Sequence, residues 1–179
     1  AVHMAISFLL DGKLIKFDVV FNAIHGNPGE NGVLLAYFDL LGIKYTSAPF
    51  YQMALTFNKR DLLSVLKPYG IKSATSYYLN LGDEIKQDEI LAKVGLPCFV
   101  KPNKSGSSFG ISKVKTKDEL LFAIANAYKE DNEIIIESFL DGTEVSVGVI
   151  VGVEVNVNVG VGVIPITYPS TQFWVSTIL

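Results

Sequence analysis

Cys98-Phe99-Val100-Lys101-Pro102-Asn103-Lys104-Ser105-Gly106-Ser107-Ser108-Phe109-Gly110-Ile111-Ser112-Lys113-Val114 is the stretch whose reading decides the fold. The apolar runs at its two ends read as short strands, and the glycines and serines between them read as a turn. Successive backbone N–H groups in such a turn form an anion-binding concavity, and serine hydroxyls add donors. Lys101, leaving the first strand, supplies a compact positive charge suited to phosphate. This is not a Walker loop, in which Gly-Lys-Ser or Gly-Lys-Thr opens a helix. A solvent loop of the same composition is the competing reading.

Downstream, Thr116 and Glu119 have the spacing of a capping box, and Leu120, Leu121, Ile124 and Tyr128 continue a helix behind it. Glu133 to Glu137 predicts another strand, turned at Asp141-Gly142. Glu137 and Glu144 flank that turn, and two carboxylates leaving a buried strand can accept hydrogen bonds from a ribose or an exocyclic amine. Phe139 and Leu140 offer an apolar slot for a base, with a hairpin of solvated acids as the alternative. Valine then takes every odd position from Val145 to Val163. A period of two predicts strand that folds back at Gly152 or near Gly160, rather than a membrane helix.

Upstream, Leu14 to Ala23 reads as a fully buried strand running into His25-Gly26-Asn27-Pro28-Gly29-Glu30-Asn31-Gly32. Val33, Leu34, Tyr37, Phe38, Leu40 and Leu41 recur at helical spacing, closed by Gly42. Strand, glycine-rich turn and helix in that order define an α/β layer, and His25 stands at the strand edge where open α/β sheets bind ligands. A packed or surface histidine is the alternative. A second helix carries Met53, Leu55, Phe57, Leu62, Leu63 and Leu66 and stops before Pro68. Tyr77 to Leu81 predicts a short strand, and Ile90 to Val94 a short helix closed by Gly95. The expected class is α/β (α+β), divided into residues 1–70 and 71–179.

Composition narrows the function. The 179 residues hold 15 Lys and Arg against 18 Asp and Glu, and a net charge of −3 argues against a general nucleic-acid binder. Apolar residues at 49% provide a core and exclude disorder of the whole chain. The single cysteine, Cys98, cannot form an internal disulfide or a cysteine-rich zinc site, and fits a reducing cytoplasm. The opening run from Val2 meets Asp11 too soon to read as a signal peptide. No Ser-His-Asp or Cys-His grouping suggests nucleophilic catalysis.

Taken together, these motifs resemble the D-alanine–D-alanine ligase family of the ATP-grasp superfamily. His25-Gly26 through Gly29-Glu30-Asn31-Gly32 resembles the family's first signature, with Asn31 in place of the usual Asp. Asn58-Lys59 resembles its Asp-Lys step. Lys101-Pro102 with Gly106-Ser107-Ser108 and Gly110 resembles the phosphate-covering loop, and Glu137, Phe139, Leu140 and Glu144 the adenosine-holding stretch.

The resemblance implies an ATP-grasp fold that joins two D-alanines through an acyl phosphate for peptidoglycan precursors. It further implies ATP and Mg2+ (or Mn2+) as cofactors and a cytoplasmic homodimer that binds neither nucleic acid nor membrane. It assigns Lys59 and Lys101 to the phosphates, Ser107 and Ser108 to the covering loop, with Ser107 also catalytic. Glu137, Phe139, Leu140 and Glu144 go to the nucleoside, and His25 with Glu30 to the D-alanine side. The family's first βαβ unit, mobile-loop residues and metal ligands have no counterpart, so the chain is expected to be part of a longer protein. Glu154-Val155-Asn156 imitates the metal pair but follows Glu144 too closely, and reads as the polar side of the valine ladder. A nucleotide-binding protein of this fold without ligase activity is the rival reading.

Overall fold

A computed structural model of the chain describes residues 7–142, with side chains from residue 11 onward. β1 (Ser7–Leu10) and β2 (Lys13–Lys16) form an antiparallel hairpin turned at Asp11 and Gly12, whose φ values of 50° and 74° are both positive. Such mirror-image turns match the twist of the flanking strands, and Asp-Gly adopts them readily. β3 (Val19–Phe21) pairs in parallel with β4 (Lys44–Thr46). The single buried strand expected over Leu14 to Ala23 is therefore two strands in two sheets. It is not buried either, since Leu14 is 60% and Phe21 80% exposed. Composition alone makes an apolar run look buried, but among the described residues no second layer covers these side chains.

α1 (Val33–Leu41) follows the glycine-rich turn as expected, and Gly42 closes it at a φ of 68°. The next expected helix is instead two, α2 (Phe50–Phe57) and α3 (Lys59–Leu66). They part at Asn58, whose backbone is extended and whose Oδ1 accepts from the Asp61 N–H at 3.1 Å. An asparagine that captures the backbone donor three residues on starts a new helix rather than continuing the old one. A 3-10 turn over Lys67–Tyr69, containing Pro68, follows α3.

β5 (Ser76–Asn80), β6 (Cys98–Pro102), β7 (Ser112–Val114) and β8 (Glu133–Ser138) make an antiparallel sheet in the order β5-β8-β6-β7. β6 and β7 are the hairpin read around Lys101 to Gly110. Alternate residues Cys98, Val100, Ile134 and Ile136 enter the core, where they meet Ile90 and Val94 of α4 (Gln87–Val94). Leu120, Ala123, Ile124 and Ala127 of α5 (Leu120–Ala127) complete that core. The period of two sends Phe99, Lys101, Ile135 and Glu137 to the opposite face. Burial pushes the Cys98 thiol above its ordinary value, which leaves it a packing group rather than a nucleophile.

The capping box forms at the 3-10 turn Lys117–Glu119 that runs into α5, with Glu119 Oε2 accepting from the Lys115 N–H at 2.6 Å and the Thr116 N–H at 3.3 Å. These bonds hold the Glu119 carboxyl below its ordinary range. Thr116→Ala should cost about 1 kcal/mol of stability, read as a lower urea midpoint at unchanged slope. An unchanged midpoint would show that the Thr116 hydroxyl contributes nothing to the box. Beyond β8 the chain bends at Gly142. Glu144, the valine run and Glu154-Val155-Asn156 lie outside the described residues.

Candidate nucleotide site

Strand register places the polar face of the sheet in rows. Ser76, Glu137, Phe99 and Lys113 form one row across all four strands, and Tyr78, Ile135 and Lys101 form the next. Lys101 and Glu137 are thus diagonal neighbours, and their Nζ and Oε2 meet at 2.8 Å with only 14% and 13% of each side chain exposed. Phe99 stacks on Phe139, ring centroids 6.2 Å apart. Lys113 Nζ stands 4.1 Å from the Phe139 centroid, and Lys101 Nζ 5.6 Å from that of Phe99. Ammonium groups over aromatic faces gain a cation–π attraction, and the same faces can take a planar base. Leu140 is half-buried beside this stretch.

A further lysine reaches the loop from a different element. Lys59, first residue of α3, donates from Nζ to the carbonyls of Ser105 at 2.8 Å and Asn103 at 3.3 Å. Burial, and secondarily the positive charge of Lys101, push its pKa down to about 8. A phosphate arriving between the two ammonium groups would relieve both influences.

The turn itself is strained. Ser107 and Ser108 have φ values of 51° and 60°, and the Phe109 N–H closes the turn on the Gly106 carbonyl at 3.2 Å. A left-handed conformation costs a residue with a side chain roughly 1–2 kcal/mol, and such strain concentrates at ligand clamps. Gly110, at φ 71°, is required: a Cβ there would stand 2.7 Å from Pro102 Cγ and 2.8 Å from Glu130 Cγ. Lys104, in the same loop, pairs with Glu133 at 3.0 Å, both side chains partly exposed.

His25 and Glu30 come together in the other glycine-rich turn. Glu30 Oε2 accepts from the Gly26 N–H at 2.6 Å, and His25 Nδ1 lies 3.4 Å from Glu30 Oε1 with the imidazole 83% exposed. Gly32, at φ 82°, sits so close to the Phe50 carbonyl that no side chain fits. Among the described residues no hydrogen bond joins this turn to the Lys101 site. Nor do the described residues gather three His, Cys, Asp or Glu side chains able to hold a metal ion.

Sequence reading missed Phe99, Lys113 and Asn103. Phe99 and Lys113 could have been found by extending the hairpin register outward from Lys101.

The helices packed on an antiparallel sheet have the architecture of the ATP-grasp fold, and solved structures match it. D-alanyl-alanine synthetase A of Vibrio cholerae aligns with a TM-score of 0.70 at 26% identity, over 78% of this chain and 43% of that one. The VanG D-Ala:D-Ser ligase of Enterococcus faecalis aligns with a TM-score of 0.66 at 37% identity, over 73% and 38% respectively. Residues 65–173 match the family described as D-ala D-ala ligase C-terminus. The chain belongs to the D-alanine–D-alanine ligase family. It is 73% identical over 144 residues to the D-alanine–D-alanine ligase of Flavobacterium johnsoniae, covering 80% of this chain and 45% of that protein. The enzyme of the same name from Christiangramia forsetii is 66% identical over 141 residues, 79% of this chain and 43% of that protein. The chain therefore spans less than half the length of these relatives.

Proposed function

We propose that the chain is the ATP-binding part of a ligase that joins two D-alanines, within a protein that supplies peptidoglycan precursors in the cytoplasm. The observation that carries this reading is the largely covered Lys101–Glu137 pair, on the sheet face that bears the stacked Phe99 and Phe139 and at the end of the strand that leads to the turn of left-handed serines. Lys59 and Lys101 hold the ATP phosphates, and the N–H groups and hydroxyls of Ser107 and Ser108 cover them. Glu137 and Glu144 take the nucleoside, with Phe139 and Leu140 against the base. His25, oriented by Glu30, serves the D-alanine side. The γ-phosphoryl group passes from ATP to the carboxylate of the first D-alanine, releasing ADP. The amine of the second attacks that acyl carbon, loses a proton and expels phosphate. Positioning and charge neutralisation provide the catalysis. Mg2+ (or Mn2+), expected with the ATP, would neutralise phosphate charge when bound; the described residues gather no group of three His, Cys, Asp or Glu to hold it.

The division near residue 70, read from the order of elements along the chain, and a homodimer, carried over from the family, belong to this proposal. Among the described residues no helix is long and apolar enough to cross a membrane. The full protein should release phosphate from ATP only when D-alanine is present. Turnover with glycine or L-alanine and none with D-alanine would overturn the substrate. ATP binding without any turnover would favour the nucleotide-binding rival.

A further inference from the structure

Asn103 is 1% exposed, and every polar atom it has is engaged. Its N–H donates to the Glu133 carbonyl at 2.9 Å, which continues the β6–β8 pairing. Its side-chain Nδ2 donates to Asn58 Oδ1 at 2.9 Å and to Glu133 Oε2 at 2.8 Å. Its Oδ1 accepts from the Arg60 N–H at 2.8 Å, and its backbone carbonyl accepts from the Lys59 N–H at 3.2 Å.

The first four N–H groups of a helix have no partner within it. In α3 the donors of Lys59 and Arg60 go to Asn103, and those of Asp61 and Leu62 go to the side chain and carbonyl of Asn58. Asn103 and Asn58 thus satisfy the whole N-terminus of α3 and are bonded to each other. Lys59 is the first residue of this clamped turn. Its ammonium can meet the Ser105 carbonyl only while α3 stays seated against the end of β6. Asparagine suits the place because it accepts once and donates twice. Aspartate could not donate, and would set a second carboxylate against Glu133.

We propose that Asn103 is a positioning residue for nucleotide binding, acting through Lys59: it locks the start of α3 to the sheet so that the Lys59 ammonium is presented to the glycine–serine turn. The proposal rests on the nucleotide reading above and adds to it a residue that never touches ATP. A buried polar group with all its partners fixes one geometry, and an unpaired one is costly, so the lock is specific rather than merely adhesive.

The test uses the full chain with 13C-labelled lysine ε-carbons, the Lys59 signal being assigned by its loss in Lys59→Arg. Without nucleotide, Lys59 should titrate near 8 in the unaltered chain. In Asn103→Ala and in Asn58→Ala it should titrate at least one pH unit higher, because a released ammonium regains water. Both variants should also bind a nonhydrolysable ATP analogue about threefold to tenfold more weakly. Unfolding in urea is recorded alongside. Lower stability with an unmoved Lys59 titration and unmoved affinity would overturn the proposal, because Asn103 would then be purely structural. Asn58→Ala cuts the same lock from the helix side and decides the matter if Asn103→Ala fails to fold. If the unaltered chain does not bind the analogue, the nucleotide reading fails. The Lys59 titration still shows whether the lock exists.

Discussion

Lys101→Ala should weaken binding of a nonhydrolysable ATP analogue by about tenfold to a hundredfold, whereas Lys104→Ala should change it by no more than about twofold. Only three residues separate the two lysines, but their surroundings differ. Lys101 leaves β6 onto the sheet's polar face and is 14% exposed, paired with an equally covered Glu137. Its removal deletes a charge-assisted contact to phosphate and leaves the Glu137 carboxylate without its counter-charge. Lys104 and Glu133 are 41% and 35% exposed, so solvent screens their pair and either charge is easily replaced by water. Calorimetric titration of both variants decides, and equal dissociation constants would remove Lys101 from the phosphate site.

The second large effect is on pH. Lys59 titrates at about 8 in the free chain, held down first by burial and then by the charge of Lys101, against which Glu137 and Asp131 pull upward. Phosphate favours the charged ammonium, so the bound value is raised. Affinity gained this way is fully present below pH 8 and is lost as pH rises above it, approaching tenfold per unit until the bound value is passed. Near pH 8 binding should take up about half a proton, visible as a dependence of heat on buffer ionisation. Lys59→Arg keeps its charge throughout and should flatten the profile, while the charges of Lys101, Glu137 and Asp131 stay as they were. A flat profile in the unaltered chain would place phosphate away from Lys59.

How much of this was legible beforehand follows from the range of the interactions involved. The β6–β7 hairpin and the capping box at Thr116 rest on neighbours close in sequence, β8 shows in its own apolar run Ile134–Ile136, and each forms as read. The motif residues Lys101, Glu137 and Phe139 do share one face of the sheet, because period two is a local rule once strands are placed. Asn58 was legible as a motif position but not as a helix boundary, since the periodicity of Met53 to Leu66 runs straight through it. What breaks the helix is the capture of a backbone donor by one side chain. Asn103 was opaque for a different reason: its partners are 43 and 30 residues away, and only the folded chain brings them together. The exposed Phe21 shows the opposite error, composition mistaken for burial.

ATP should sit on the polar face of the four-stranded sheet, at the turn of Ser107 and Ser108. A crystal structure of the chain with a nonhydrolysable ATP analogue tests it directly. Phosphate oxygens should lie within hydrogen-bond reach of Lys59 Nζ, Lys101 Nζ and the backbone N–H groups of the turn, with the base against Phe139 and Lys113 moved off that ring. Analogue bound elsewhere, with Lys101 and Glu137 still 2.8 Å apart and Lys113 still over Phe139, would contradict it.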